Sequence, residues 1–139
     1  MKIFANAIFG ILLSALTTFA RLGETPDQCQ MRYGSSNGQK GEFTLYHKDH
    51  FDIAVLFRDG KSVQEIFLSN VNPAFSEDQV AELLTANSEG SSWLIKSNNL
   101  VRKYERLDGA AFATLSGQSL VMTSVLAKIV PGKQPSSGF

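Results

Sequence analysis

Two short segments of this 139-residue chain carry the same helix-start signal. In the first, Thr25 stands before Pro26, and Gln28 follows Thr25 by three residues. Thr as N-cap with Gln at the third helical position forms a capping box, in which side chains accept from two backbone N–H groups that the helix itself cannot pair. Pro suits the first helical position because no helical partner exists there for its missing N–H. Ser76 and Gln79 repeat the spacing. The sequence therefore predicts two helices that begin in the same way.

Each predicted helix has one face fit for burial. Cys29 and Tyr33 are four residues apart in the first helix. Val80, Leu83 and Leu84 have the i, i+3, i+4 spacing in the second. Residues at these spacings lie on one side of an α-helix, so both helices are expected to pack on a common sheet.

Strand-like segments follow each helix. The first set alternates apolar and polar residues, contains the Asp59-Gly60 turn signal, and spans 43–47, 51–58 and 62–69. The second set alternates less sharply and spans 93–96, 101–106, 110–115 and 118–127. From Trp93 and Val101 the chain forms either one irregular strand or two short ones.

This order predicts an α+β domain with an antiparallel sheet of about six strands covered by two helices. The domain is expected to span 21–130 and to consist of two helix-then-three-strand halves, about 22–70 and 75–127, as an internal repeat. The segment 131–139 is rich in Pro, Gly and Ser and is expected to be a flexible tail.

The first twenty residues have the character of a secretory leader. Lys2 precedes a largely apolar stretch, and Thr18 and Ala20 provide the small residues that signal peptidase favours. We therefore expect residues 1–20 to be a signal peptide, cleaved after Ala20, and the protein to be periplasmic or secreted without membrane attachment. The alternative is a retained membrane anchor, because the apolar stretch is close to the lower limit of about 17 residues for a spanning helix.

Charge and cysteine content exclude two classes of protein. Thirteen Lys and Arg residues balance thirteen Asp and Glu residues, so the chain has no net attraction for nucleic acid. One cysteine excludes an internal disulfide framework. No Gly-x-Ser-x-Gly or Ser-x-x-Lys pattern stands at a predicted strand-to-helix junction, and the glycine-rich segment 34–38 precedes a strand instead of a helix. Neither a catalytic site nor a cofactor is therefore predicted.

The densest group of metal-ligand residue types is His47, Asp49, His50 and Asp52. On a hairpin, the two histidines could approach one ion. Lys48 would repel that cation, and the chain has no third histidine. We expect a solvated hairpin tip, and the alternative is a metal- or small-molecule-binding site.

Cys29 is a candidate nucleophile because a position near a helix N-terminus lowers the pKa of a thiol. Its helical spacing to Tyr33 instead directs it towards the sheet, where a free cysteine behaves as a small apolar residue. We expect Cys29 to be a core residue. A hydrolase that uses it is the third class of function considered.

Aromatic and basic residues mix on one predicted strand. Arg102, Tyr104 and Arg106 alternate there, and Trp93 and Tyr46 add aromatic area beyond what one covered sheet face readily buries. An antiparallel sheet with an open face carrying such residues has the composition of a protein-binding surface. We expect a non-enzymatic interaction module whose partner is an envelope or extracellular protein. The alternative is that these residues lie on a solvated or tail-covered surface.

The segment 22–34, with its Gly-Glu-Thr start, Cys29 and an Arg-Tyr-Gly end, resembles the opening of a group of small, uncharacterised exported bacterial proteins. At fold level the order of elements is similar to the β-lactamase-inhibitor-protein-like fold and to small outer-membrane assembly lipoproteins. That resemblance implies binding of a protein partner without catalysis. The chain departs from the lipoproteins because no cysteine follows Ala20 directly.

Overall fold

The computed structural model describes residues 21–128. The predicted signal peptide, 1–20, and the predicted tail, 131–139, lie outside the described residues. Neither helix within 21–128 has the length and apolar character of a membrane-spanning helix.

Both predicted capping boxes are present. Helix α1 spans Pro26–Tyr33 and helix α2 spans Glu77–Ala86. At α1 the Gln28 N–H donates to Thr25 Oγ1 (3.3 Å), and the Thr25 N–H donates to Gln28 Oε1 (2.9 Å). Ser76 and Gln79 form the same pair of bonds at α2. Helix start is a local property, so the sequence was sufficient to predict it.

The strands form one antiparallel sheet. In the first half they are β1 (Gly38–Lys40), β2 (Phe43–Lys48), β3 (Phe51–Arg58) and β4 (Lys61–Ser69). In the second half they are β5 (Trp93–Asn98), β6 (Val101–Arg106), β7 (Ala111–Ser116) and β8 (Ser119–Ser124), and a short 3₁₀ helix follows at Val125–Lys128. Within 21–128 the spatial order is β1-β2-β3-β4-β8-β7-β6-β5.

The α+β class, the antiparallel sheet and the two helices agree with the prediction, but the strand count does not. The described chain has eight strands instead of about six, so each half is a helix followed by four strands. Strand β1 was missed because Gly38–Lys40 is polar and fully surface-exposed, and its register shows pairing with β2 alone. Where the sequence allowed one irregular strand, β5 and β6 are two strands with a register irregularity between Ile95 and Ser97.

The core lies between the helices and one face of the sheet. Cys29 and Tyr33 from α1, with Val80 and Leu83 from α2, join the inward-facing strand residues in a single cluster. The halves meet where β4 pairs with β8, and there Phe67 stands opposite Leu120 with both side chains at 0% exposure. Full burial of side chains of this size stabilises the fold by about 1.5–3 kcal/mol each.

The segment before α1 connects the two halves. Gly23 N donates to the Ser62 carbonyl oxygen and Ser62 N donates to the Glu24 carbonyl oxygen, both at 2.7 Å. Leu22 N donates to Asn87 Oδ1 at 2.8 Å, at the C-terminal end of α2. The chain entering α1 is therefore attached both to β4 and to α2.

Candidate functional site

The aromatic and basic residues proposed as a binding surface lie on the face that the helices cover. Tyr46, Tyr104 and Arg106 are only 3%, 6% and 6% exposed. Tyr104 pairs with Ala113, which pairs with Met122, and all three side chains belong to the buried face. The expectation that these residues occupy an open face is therefore wrong for Tyr46, Tyr104 and Arg106.

Arg106 fastens the end of α2 to β6. Its Nη1 donates to the Asn87 carbonyl oxygen at 2.8 Å, and its Nε donates to Asp108 Oδ1 at 2.8 Å. Nη2 lies 3.4 Å from Glu89 Oε2. The hydrogen bond from Arg106 lowers the pKa of the Asp108 carboxyl. With these contacts, the guanidinium is a structural group within the fold.

Arg102 and Trp93 fasten the rest of α2. Arg102 donates to both carboxylate oxygens of Glu77, at 2.7 and 3.0 Å, and this paired geometry lowers the pKa of Glu77. Trp93 Nε1 donates to the Leu84 carbonyl oxygen at 2.7 Å. Thus Trp93, Arg102 and Arg106, three of the five predicted binding residues, hold the second helix on the sheet.

The neighbouring positions of the same two strands are the ones exposed. Four large apolar side chains stand out from the β5–β6 hairpin: Leu94 at 44%, Ile95 at 60%, Leu100 at 98% and Val101 at 37%. We call these four residues the hairpin surface. β5 is the last strand in the sheet order, so the hairpin surface lies at one edge of the described sheet.

The sequence did contain a signal for the hairpin surface. Leu94-Ile95 and Leu100-Val101 are adjacent apolar pairs. Successive side chains of a strand point to opposite faces, so an apolar pair in an edge strand places at least one residue outside a core that covers one face.

The β2–β3 hairpin brings two of its four candidate metal ligands together. His47 Nδ1 and Asp52 Oδ1 are 2.8 Å apart, and Asn70 Nδ2 donates to Asp52 Oδ2 at 3.1 Å. The hydrogen bond with His47 lowers the pKa of Asp52. Asp49 occupies the turn with φ 54°, and the His50 ring packs on Phe51 at 4.1 Å between centroids. In the part of the chain that is described, no three His, Cys, Asp or Glu residues converge as a metal site would require.

Cys29 lies in the core, as expected, with 0% exposure. Burial, with the charge of Glu65 as the next cause, raises the pKa of the thiol to about 12. Catalytic cysteines have lowered pKa values and partial exposure. The geometry therefore makes Cys29 an unreactive packing residue in the closed fold.

Glu65 is a buried acid that sequence reasoning missed. It is 0% exposed, and neither carboxylate oxygen has a hydrogen-bond partner among the described residues. Burial, followed by the charge of Glu24, raises its pKa to about 8. A signal was available, because Glu65 alternates with Val63 and Phe67 and therefore shares their inward face.

A cleft of about 570 Å³ opens at the end of the sheet where β3 and β6 finish. Its lining combines Leu22, Ala111 and Val125 with the basic residues Arg58 and Lys61. Arg58 already donates to Glu42 at 2.8 Å. Arg106, which also lines the cleft, is likewise held by Asp108 and the Asn87 carbonyl oxygen, so both arginines of the cleft are engaged within the fold.

Comparison with known proteins gave no match: no protein-family model fits the chain, and no curated protein or solved structure matches it significantly.

Proposed function

We propose that this protein is an exported, non-enzymatic binding module that contacts a protein partner through the hairpin surface. The observation that carries the proposal is the exposure of Leu94, Ile95, Leu100 and Val101 on one hairpin. Leu94 and Ile95 are consecutive on β5 and project from opposite sides of the hairpin, so a partner would enclose the hairpin. Exposed apolar surface of this kind marks interaction sites on soluble domains. Export rests on the leader-like segment 1–20, which makes an envelope or extracellular protein the expected partner.

The hairpin is held in place before any partner binds. The Arg102–Glu77 ion pair and the Trp93–Leu84 hydrogen bond tie it to α2 at 2.7 Å each. A surface that is already ordered loses little conformational entropy on binding. Trp93 and Arg102, which the sequence predicted to contact the partner, instead hold the contacting hairpin in place.

We expect the partner to contact the side chains of the hairpin surface and not to add a strand to the edge of β5. The irregularity between Ile95 and Ser97 interrupts the edge of β5, and Lys96 is exposed at that point. Bulges and edge lysines disfavour pairing with a further strand. Lys96 lies 3.8 Å from Glu105, whereas Lys103 is exposed beside the apolar residues, so a partner with an apolar centre and an acidic group facing Lys103 fits best.

The non-enzymatic assignment is supported by the state of the one thiol. Cys29 is buried, and its raised pKa of about 12 keeps it protonated. A hydrolase that used Cys29 as its nucleophile would need an ionised thiol with access to substrate.

Capture by crosslinking from the native envelope tests the proposal. The wild-type protein is compared with Ile95→Gln/Leu100→Gln, which removes two hairpin-surface residues, and with Met31→Gln, a control at an 87% exposed position on α1. We expect one protein to be captured by the wild type and by Met31→Gln and to be lost with the double variant. Equal capture by all three proteins would show that the hairpin surface is not the contact site.

A further inference from the structure

A carboxyl group lies unpaired beneath the first helix. Glu65 occupies the middle of the sheet, with Val55 beside it on β3 and Met122 on β8. Its side chain is fully buried on the covered face, and both oxygens lack a hydrogen-bond partner in residues 21–128. If this carboxyl ionises while it is buried, the resulting charge has neither water nor a hydrogen bond to stabilise it, and ionisation is therefore costly.

The charged neighbours of Glu65 do not offset such a charge. From the segment before α1, Glu24 is 8% exposed and repels a second carboxylate. From α1, Arg32 attracts it, but its Nε donates to both oxygens of Glu24 at 2.8 and 2.9 Å, and its Nη2 lies 2.7 Å from Glu24 Oε1. Arg32, the cation whose charge lowers the pKa of Glu65, is therefore already paired with Glu24.

The remaining titratable and polar groups around Glu65 do not offset its charge either. Cys29 on α1 and Tyr46 on β2 both have raised pKa values to which the Glu65 charge contributes. On β4, Ser62 lowers the pKa of Glu65, but its hydroxyl donates to the Arg21 carbonyl oxygen at 3.1 Å. Helix α2 contributes apolar Val80 and Leu83 to this core.

Helix α1 is a short element with few buried residues. It has eight residues, of which only Cys29 and Tyr33 are buried. Its C-terminal end is tied by Lys48 Nζ, which donates to the Arg32 carbonyl oxygen at 2.6 Å. The residues from Gly34 to Glu42 that follow it are exposed. Elements with few buried contacts open at lower free energy than the whole domain.

We propose that α1 is a proton-controlled cap, which the protonated Glu65 carboxyl keeps closed and which opens more readily as the pH rises, leaving the α2 half folded. Burial raises the pKa of Glu65 in the closed state to about 8, from 4.5 for a hydrated carboxyl. Between these values the open state releases a proton that the closed state retains. Opening therefore becomes about tenfold more favourable per pH unit between about pH 4.5 and about pH 8, and levels off above that range.

The chain contains its own probes for this event. Cys29 is the single cysteine and lies on the buried side of α1, and Trp93 is the single tryptophan and donates a hydrogen bond to α2. The rate at which a soluble thiol reagent labels Cys29 is measured from pH 6 to pH 9. Each rate is divided by the labelling rate of the denatured protein at the same pH, which gives a labelling ratio. We expect the ratio to rise about tenfold per pH unit to about pH 8 and then level off. Trp93 fluorescence is expected to stay native throughout.

Two variants separate this cap from other causes. Glu65→Gln keeps the shape of the side chain and removes its titration, so its labelling ratio should not change with pH. Glu24→Gln removes the repelling charge and releases Arg32 to face Glu65, so its plateau should begin at a lower pH. A flat wild-type ratio, an equal rise in Glu65→Gln, an unmoved plateau in Glu24→Gln, or parallel loss of native Trp93 fluorescence would each overturn the proposal.

Discussion

Arg106 on β6 donates a buried hydrogen bond to the main-chain oxygen of Asn87, 2.8 Å away at the end of α2. The same guanidinium bonds Asp108, and Asn87 in turn accepts from Leu22 N and donates to the Leu83 carbonyl oxygen at 2.9 Å. One arginine thus connects the second helix, the sheet and the segment that leads into the first helix.

Removing that arginine should destabilise the domain. Arg106→Met keeps the aliphatic stem and leaves the Asn87 carbonyl oxygen without its donor. Orphaning a buried acceptor costs about 1–3 kcal/mol, so urea denaturation should show a loss of that size in the free energy of unfolding. The matched control is Arg58→Met, which breaks an exposed pair with Glu42 and should cost less than about 1 kcal/mol. Equal losses in the two variants would contradict the structural role of Arg106.

At the junction of the two halves, a buried and an exposed leucine should differ in how much they contribute to stability. Leu120 is 0% exposed opposite Phe67, whereas Leu68, the next residue after Phe67 on β4, is 45% exposed. Leu120→Ala should lower the free energy of unfolding by about 2–5 kcal/mol through lost burial and a residual cavity. Leu68→Ala should stay within about 0.5 kcal/mol of the wild type, as exposed substitutions do. Thermal and chemical denaturation of both variants measure the difference.

Glu65 gives the stability of the whole domain a pH dependence of defined sign. Its folded pKa of about 8 is raised, so its unfavourable effect grows as the pH rises from about 4.5 to about 8. Glu65→Met replaces the carboxyl with an apolar side chain of similar length. The variant should therefore have a higher free energy of unfolding than the wild type, and this advantage should be larger at pH 9 than at pH 6. The increase in the advantage between the two pH values should be at least about 1 kcal/mol. A difference that is the same at both pH values would show that Glu65 does not titrate in the core.

The β2–β3 hairpin is expected not to hold a transition metal tightly. His47 is within hydrogen-bond distance of Asp52. Of the other two candidates, Asp49 lies in the turn and the ring of His50 packs on Phe51. Calorimetric titration with Zn²⁺ and with Cu²⁺ should show no micromolar binding, because a stable site needs three or four converging ligands. Micromolar binding that disappears in His47→Ala/His50→Ala would favour the metal-binding alternative over the interaction module.

The helix starts were predictable from sequence because each capping box closes within four residues. Strands β2, β3 and β4 were predictable from alternation. Strand β1 was not, because Gly38-Gln39-Lys40 has no apolar residue and its partners lie on β2. Because β1 forms through its hydrogen bonds to β2, its own sequence does not show the apolar alternation by which a strand is predicted.

The faces of β6 could not be assigned from sequence. Val101, Lys103 and Glu105 alternate with Arg102, Tyr104 and Arg106, so both faces combine apolar and charged atoms. The choice depends on contacts from α2, where Glu77 pairs with Arg102 and the end of the helix accepts from Arg106. Glu65 was missed for a related reason, since a polar residue at an inward position looks like an interruption of the pattern.

The most direct test of the account is the affinity of the captured partner for the hairpin surface. The dissociation constant is measured for the wild type, for Ile95→Gln/Leu100→Gln and for Met31→Gln by the same calorimetric titration. Loss of two central apolar contacts should weaken binding by about 30-fold or more, while Met31→Gln binds as the wild type does. A double variant that binds within about twofold of the wild type would contradict the claim that this hairpin is the binding site.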